Sequence, residues 1–488
     1  MDYNLNHKIR CIIERKMKKR GVSMPVNSFD HYPMSWKPEK ALLTRPYYQS
    51  IAALLEQDIV NGFLAPGTKL PPQRELADFL DLNFTTITRA YKLCERRGLI
   101  YATTGSGTFV APNAARSITI STESSRNMLD LAFVASFEQT NELVEETLQK
   151  VVNKNYVTRL LNYNDPTGIP HQKTAGLNWM KSFGIQAEQE RMAIVSGAQN
   201  ALAITLTALF EPSQRIATDL YTYSNFIELA KLLHIQLVPI DGDMSGMLAD
   251  ELEKHCTQMK IHGIFLMPSC SNPTTIMMSD RRKQELADVI RKYQLILIED
   301  DIHAFLTAGI IEDYKQPMFN LLPEQTVYIC GTSKAICSGL RVAYMVYSDA
   351  FHQKILQSIY TINVKTSSFD AEVITELILS GVASKIANQK KKLAQAANGF
   401  YTNYFPQKRE GEHPLSFYRW LPIQTNLNSS QIETELKDRG IRVFHSDRFM
   451  SGRSLKEYYL RVALSSTTSL DELQIGLETL QQYFDSNK

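Results

Sequence analysis

The sequence predicts an α/β protein in two parts: a small helical head tipped by a hairpin, and a large body built on a doubly wound, mainly parallel sheet with a smaller α+β subdomain. Three observations predict it. Apolar residues recur with a helical period between 48 and 94, a Ser/Thr-rich stretch follows at 111–127, and beyond it six short apolar runs alternate with helical patterns. At 488 residues the chain exceeds a single core, so two or three domains are expected. Apolar content of 44% and charged content of 21% fit a globular protein. Six scattered cysteines without a C-x-x-C pair argue against a zinc site or a disulfide framework and fit a reducing compartment. The longest uncharged stretch, Ala193 to Phe210, includes Ser196, Gly197, Gln199 and Asn200, so it reads as a strand and a helix rather than a membrane span. The N-terminus is charged, with no apolar core before a cleavage site. A cytoplasmic location and no membrane partner are therefore expected.

In the head, Tyr48, Ile51, Ala52, Leu55 and Ile59 mark one face of a first helix. Asn61-Gly62 closes it, and Pro66-Gly67 turns the chain. Pro71-Pro72 opens a second helix that runs to Leu80, and Asn83 stands where it can cap a third. That helix divides: Ile87, Ala90, Tyr91 and Cys94 line its core face, while Thr85, Thr88, Arg89, Lys92 and Arg96 line the other. Leu99 to Val110 reads as two short strands around Gly105-Ser106-Gly107. The combination is a winged helix-turn-helix, an architecture that reads DNA. Charge agrees, since residues 1–113 hold 16 Lys/Arg against 10 Asp/Glu while the remainder holds 37 against 41. Residues 1–40, with the basic run Lys16, Lys18, Lys19 and Arg20, are expected to be a poorly ordered extension. The head is placed at 41–111 and a flexible linker at 112–127, with a root-mean-square reach of roughly 20–25 Å.

In the body, 128–488, apolar runs at 192–195, 215–218, 235–240, 263–267, 295–298 and 326–330 read as strands. Ligands of such sheets bind beyond the strand C-termini, and the polar motifs stand there. Ser196-Gly197-Ala198-Gln199-Asn200 opens an apolar helix, whose N-terminal N–H groups attract phosphate. Ser269-Cys270-Ser271-Asn272-Pro273-Thr274 follows one run and Asp300-Asp301 ends another. Lys334 follows a third, 34 residues after Asp300, and Arg341 stands seven residues further on. A lysine amine forms imines with aldehydes, a strand-end acid keeps a ring nitrogen protonated, and an arginine binds phosphate. Together these are the demands of pyridoxal 5'-phosphate.

Residues 44–111 resemble the GntR-type DNA-binding domain through Pro66-Gly67-Thr68-Lys69-Leu70-Pro71, Gln73-Arg74-Glu75-Leu76-Ala77 and Gly105-Ser106-Gly107-Thr108-Phe109-Val110. The body resembles the fold-type I aminotransferases, and the whole resembles MocR/GabR-type transcriptional regulators. The resemblance implies a large subdomain near 170–350 and a small one near 360–488. It implies that Arg74, Thr85, Thr86 and Arg89 meet an operator and that the wing tip, Ser106 and Gly107, approaches the minor groove. In the body it implies that Lys334 carries the cofactor as an imine, Asp300 pairs with the ring nitrogen, Asn272 reaches the ring hydroxyl and Tyr223 stacks on the ring. Ala198, Gln199, Ser333 and Arg341 are implied to hold the phosphate. Arg461, in Leu460-Arg461-Val462-Ala463-Leu464, is implied to grip an α-carboxylate bidentately. Tyr163, in Tyr163-Asn164-Asp165-Pro166-Thr167-Gly168, is implied to reach the phosphate of a neighbouring subunit, hence a homodimer.

Several positions depart from that pattern. Ile302-His303 stands where a tyrosine normally bonds the ring hydroxyl, leaving His303 as the substitute contact. Gly331 replaces a hydroxyl residue, Thr275 a glycine, His171-Gln172-Lys173 the usual Leu-Arg, and Phe84 an arginine of the third head helix. Losing one well-placed catalytic donor typically costs ~2.7–4 kcal/mol of barrier, so any transamination is expected to be weak or partial. The leading expectation is a transcriptional regulator whose body senses pyridoxal phosphate, an amine or an amino acid and so shifts operator affinity. The alternatives are a working aminotransferase with an appended DNA-binding domain, and a scaffold with an empty pocket.

Overall fold

The computed structural model describes residues 34–60, 63–65, 67–103, 106–111, 128–308, 316–424, 427, 429–452 and 457–486. The expected linker at 112–127, residues 1–33 of the expected extension, and the turn residues Asn61, Gly62, Pro66 and Gly105 lie outside the described residues.

The head has three helices, α1 (Tyr47–Val60), α2 (Gln73–Leu80) and α3 (Phe84–Arg96). Ile51, Ala52, Leu55 and Ile59 of α1 pack on Ile87, Ala90, Tyr91 and Cys94 of α3, the faces that the helical period predicts. Asn83 caps α3, its Oδ1 accepting from the Thr85 N–H at 2.9 Å. Pro72 occupies the N-cap of α2, so that helix begins at Gln73, two residues later than expected. The strands β1 (Ile100–Thr103) and β2 (Gly107–Val110) form the antiparallel wing, with Ile100 opposite Val110. The head also begins earlier than expected. Trp36, assigned to the loose extension, is buried in the head core and donates its indole N–H to Asp58 at 2.8 Å. An isolated tryptophan carries no helical or strand period, so only packing reveals its place.

The body's main sheet has seven strands: β3 (Met192–Val195), β4 (Arg215–Asp219), β5 (Gln236–Ile240), β6 (Gly263–Leu266), β7 (Ile296–Asp300), β8 (Thr326–Gly331) and β9 (Ala343–Tyr347). Their order is β3-β9-β8-β7-β6-β4-β5. The six expected runs are all strands, and β9 adds a seventh. It runs antiparallel to both neighbours, β8 and β3, and the remaining pairs are parallel. Direction follows from connection length, because 332–342 is too short for a full crossover helix. Alternate residues feed cores on opposite faces: Ile298 enters one apolar cluster and Leu297 another.

Three helices begin at the rim where the six parallel strands end: α4 (Ala198–Leu209), α5 (Ser224–Leu232) and the single turn α6 (Thr332–Ala335). The small subdomain sets β10 (Tyr418–Ile423), β11 (Phe444–His445) and β12 (Tyr458–Ala463) in the order β10-β12-β11, flanked by α7 (Val382–Tyr404) and α8 (Leu470–Ser486). The Ser469 hydroxyl caps α8, accepting from the Glu472 N–H at 3.2 Å, while the Glu472 carboxylate reaches past it to the Thr468 N–H at 2.9 Å. Among the described residues no helix is long and apolar enough to cross a membrane.

Trp36→Ala should destabilise the head by ~3–5 kcal/mol, the usual range for emptying a buried aromatic site. Differential scanning calorimetry of the full chain should show the head transition falling and the body transition unmoved. An unmoved head transition would contradict the assignment of Trp36 to its core.

Candidate functional site

The strand ends converge. Lys334 lies in the turn α6 directly beyond β8, and its ammonium donates to the carbonyls of Val134 and, at 3.3 Å, Ala135. Asp300 ends the adjacent strand β7, opposite Ile329 of β8, and is 2% exposed. Gly197 precedes α4 with φ +89°, and a Cβ there would fall 2.7 Å from Nη2 of Arg341. Only glycine leaves that hollow open. Arg341 Nη1 donates to the Ser333 hydroxyl at 2.9 Å, so the guanidinium, the serine and the N-terminal turn at Ala198 and Gln199 share one concavity suited to an anion.

From the small subdomain, Arg461 of β12 donates to Asn272 Oδ1 at 2.9 Å and to the Ala132 carbonyl at 2.7 Å. It lies over the rings of Phe444 and Phe449. Tyr223 forms the N-cap of α5. Burial first, then the Asp300 charge, push its phenol up to about 12. Lys334, Asp300, Asn272, Tyr223, Ser333, Arg341 and Arg461 are therefore brought together. Tyr163 is not: it stays on the surface, 87% exposed.

The pocket holds its charges against the solvent's preference. Burial, then the neighbouring Asp301 charge, raise the Asp300 carboxyl to about 7. Burial, then repulsion from Arg461 and Lys390, lower the Lys334 amine to about 7, which makes a substantial fraction of it nucleophilic at neutral pH. Burial, then Lys334 and His413, depress His303 to about 3. His303 is thus a neutral imidazole across the physiological range.

Asp300 Oδ1, both His303 ring nitrogens and Arg461 Nε have no hydrogen-bond partner among the described residues. Buried polar atoms are seldom left so. An acid awaiting a donor, an amine near its neutral form and an arginine beside an open helix N-terminus match the ring nitrogen, aldehyde and phosphate of pyridoxal phosphate. The residues present fit that cofactor.

The departures have physical reasons. A Cβ on Gly331 would fall 2.9 Å from Ile302 Cγ2, so isoleucine at 302 excludes a larger residue at 331. Thr275 keeps the left-handed backbone that favours glycine, φ +65°, and its N–H donates to the Ser271 carbonyl at 2.7 Å. His171 and Gln172 both reach Glu372, at 2.6 and 2.8 Å, and so clasp two helices rather than face the pocket.

Lys390 escaped sequence reasoning. Fully buried, it donates to the Ile336 carbonyl at 2.8 Å and to that of Lys334 at 3.3 Å. In the run Gln389-Lys390-Lys391-Lys392 it reads as a solvated helix face. The carbonyls of Val134 and Ala135 were equally invisible, because a backbone acceptor carries no sequence signal.

On the head, Arg74, Thr85, Arg89, Ser106 and Gly107 are exposed and Thr86 is half-buried. Thr88, expected on the outer face, instead donates to Gln73 at 2.8 Å. The Arg74 guanidinium stands 5.9 Å from the ring centroid of Phe84, so α2 supplies a positive charge at the position where α3 lacks one.

Residues 133–473 match the family model for class I and II aminotransferases, and residues 47–110 match that for bacterial regulatory proteins of the gntR family. The chain is 32% identical to an uncharacterized HTH-type transcriptional regulator, YdeF, of Bacillus subtilis, over 95% of this chain and 99% of the relative. It is 24% identical to YjiR of Escherichia coli, also named an uncharacterized HTH-type transcriptional regulator, over 74% and 82%. An archaeal alanine:glyoxylate aminotransferase superposes with a TM-score of 0.67 at 20% identity, covering 74% of this chain and 91% of that one. LysN, an α-aminoadipate aminotransferase of Thermus thermophilus, superposes with a TM-score of 0.66 at 17% identity, covering 74% and 93%.

His303 and His413 are both depressed to about 3, in each case chiefly by burial, from an ordinary 6.5. Between those values the unfolded chain binds a proton that the folded one refuses, so each histidine makes stability fall as pH drops through the window, by ~1.4 kcal/mol per pH unit. Asp300 titrates with the opposite sign, so the readout is the difference between wild type and His303→Phe. Urea denaturation of the cofactor-free protein between pH 6.5 and 4.5 should show a shallower acid loss in the variant.

Proposed function

The chain belongs to the class I and II aminotransferase family and carries a gntR-family head, and from that premise we propose that it is a transcriptional regulator that binds pyridoxal phosphate and an amine or amino acid effector. The observation that carries this reading is the union, on one chain, of an exposed DNA-type face with a pocket that keeps its lysine, acid and arginine while its ring-hydroxyl tyrosine and a phosphate donor are gone. Relatives named as transcriptional regulators, aligned along nearly the whole chain in one case, support it. Homodimerisation is part of the proposal, since Tyr163 has no role in its own pocket and is free to reach another's. A cytoplasmic location goes with the regulatory role.

Pyridoxal phosphate, when bound, supplies an electrophilic carbon and an electron sink for amines. Lys334 would hold it covalently, Asp300 would accept from its ring nitrogen, and Gly197, Ala198, Gln199, Ser333 and Arg341 would surround its phosphate. Asn272 and His303 border the ring hydroxyl side, and Tyr223 covers a face. Arg461 offers its fork to an effector carboxylate. Lys390 donates to the carbonyls of Lys334 and Ile336, at the C-terminal end of the Lys334 turn, and so supports the lysine's direction.

Tyr223 stands at one end of α5. At the other end the aliphatic part of Lys231 presses on the head, where a Cβ at Gly98 would lie 2.6 Å from its Cε. A cleft of about 310 Å³ continues that junction, lined by Arg96 and Tyr101 on the head and His234 and Ser451 on the body. An effector that binds one placement of Tyr223 better than another biases this helix, and with it the head.

Purified protein should be yellow, and Lys334→Ala should abolish the colour. The chain should bind its own promoter, and Arg74→Ala with Arg89→Ala should weaken binding and reduce the slope of log K against log salt by about 2, roughly one per phosphate contact removed. Fluorescence anisotropy across a salt series measures both. Steady turnover of an amino donor with 2-oxoglutarate, without promoter binding, would overturn the regulatory reading.

A further inference from the structure

Behind the Asn272 loop lies a cavity of about 290 Å³ that none of the cofactor-facing residues lines. Ser271 and Thr274, on either side of Asn272-Pro273, line it. Trp420 lines the cavity, and in the β10–β12 pair it stands directly opposite Arg461 on the same sheet face. A molecule held at Arg461 therefore has this cavity beside it.

The wall has a distinct chemistry. Tyr221, Trp420 and Tyr459 form a cluster of three rings, with Tyr221 edge-on to Trp420 at 5.2 Å and Trp420 stacked on Tyr459 at 5.0 Å. Glu457 sits at the mouth and accepts from the Tyr459 hydroxyl at 2.9 Å. Half-buried Asp219, the last residue of β4, also lines the cavity, and its carboxylate has no hydrogen-bond or ionic partner among the described residues; burial pushes it up to about 7. Asp243 is already neutralised by Arg282 at 2.8 Å. Arg409, the cavity's own cation, lies over the Tyr459 ring at 5.2 Å and leans toward Glu412 at 4.0 Å. Arg409 Nη1 has no hydrogen-bond partner among the described residues, so the lining holds two carboxylates without a cation, Asp219 and Glu457, against this one cation.

We propose that this cavity receives the cationic end of the effector, an ammonium at the tip of a basic amino acid, between Asp219 and the three aromatic rings. Aromatic faces and an unpaired carboxylate select a cation over a neutral or acidic group of the same length. The inference rests on the regulatory reading above and specifies its effector class. It also supplies a route to the head. The Thr222 N–H donates to the Phe449 carbonyl at 2.8 Å and the Ser451 N–H to the Leu220 carbonyl at 3.1 Å, so the Tyr221 wall is stitched to 449–451. Met450, Ser451 and Gly452 then line the cleft that faces Arg96, Gly98 and Tyr101 of the head. Filling the cavity bears on that seam.

The test is isothermal titration of the full, cofactor-loaded chain with L-ornithine, L-norleucine and L-glutamate, using wild type and Asp219→Asn. Ornithine should bind wild type at least about tenfold more tightly than norleucine. Asp219→Asn should erase that ratio and leave norleucine binding unchanged. Equal or tighter binding of norleucine or glutamate, no binding of any of the three, or an equal loss for all three in the variant would overturn the proposal. Should the variant fail to fold, the wild-type ranking decides alone. Colour and promoter binding are read on the same preparations. Protein that is yellow and binds its promoter but does not prefer ornithine sinks this inference only, whereas colourless protein that ignores its promoter sinks the function it rests on.

Discussion

The shared direction of six strands is the constraint from which the rest of the body follows. Parallel neighbours require crossovers, and crossovers carry every strand's C-terminus to the same rim. The segment that precedes the first of these strands joins the rim too, where the Val134 carbonyl accepts from the amine of Lys334, 200 positions on. Asp300 and Lys334 meet because β7 and β8 lie side by side with Asp300 opposite Ile329. The antiparallel strand β9 does not disturb this. It returns the chain behind the rim and separates β3 from β8, so that the α4 N-terminus and Arg341 close one end of the pocket.

A pocket assembled in this way is electrostatically unfinished. The acid is pushed up, the amine pushed down and the imidazole kept neutral, all mainly by burial. The imidazole and one oxygen of the acid have no partner among the described residues, and the amine donates only to neutral carbonyls. A ligand bringing a ring N–H, a carbonyl carbon and a dianion would relieve each of them, which is why folding and ligand capture draw on the same interactions. The cluster of Lys334, Lys390, Arg341 and Arg461 also makes the cavity net attractive to anions before any specific contact forms.

The positions that depart from the aminotransferase pattern form two groups. Gly331 and Ile302 are sterically linked, and Thr275 occupies a glycine-like backbone with its N–H satisfied. Ile302 and Gly331 remove hydroxyl donors, whereas Thr275 keeps the glycine-like backbone and adds a hydroxyl. His171 and Gln172 have been turned to a structural duty at Glu372. On the proposed function, both groups would leave binding in place and weaken tuning, the balance expected where occupancy rather than turnover is what matters.

By itself the sequence determined what periodicity and short-range chemistry can encode: the faces of the three head helices, the cap at Asn83, the six parallel strands, and the polar motifs waiting at their ends. It also named Lys334, Asp300 and Arg341, because reactive residue types after apolar runs are conspicuous, whereas Arg461 came from the family resemblance. What only the tertiary structure decided was long-range company. Trp36 joins the head core, Lys390 turns inward under Lys334, Asp219 faces three aromatic rings, and Tyr163 stays outside. The reason is physical. A lone side chain has no period, and whether it is buried, paired or exposed depends on which distant surface the fold brings against it.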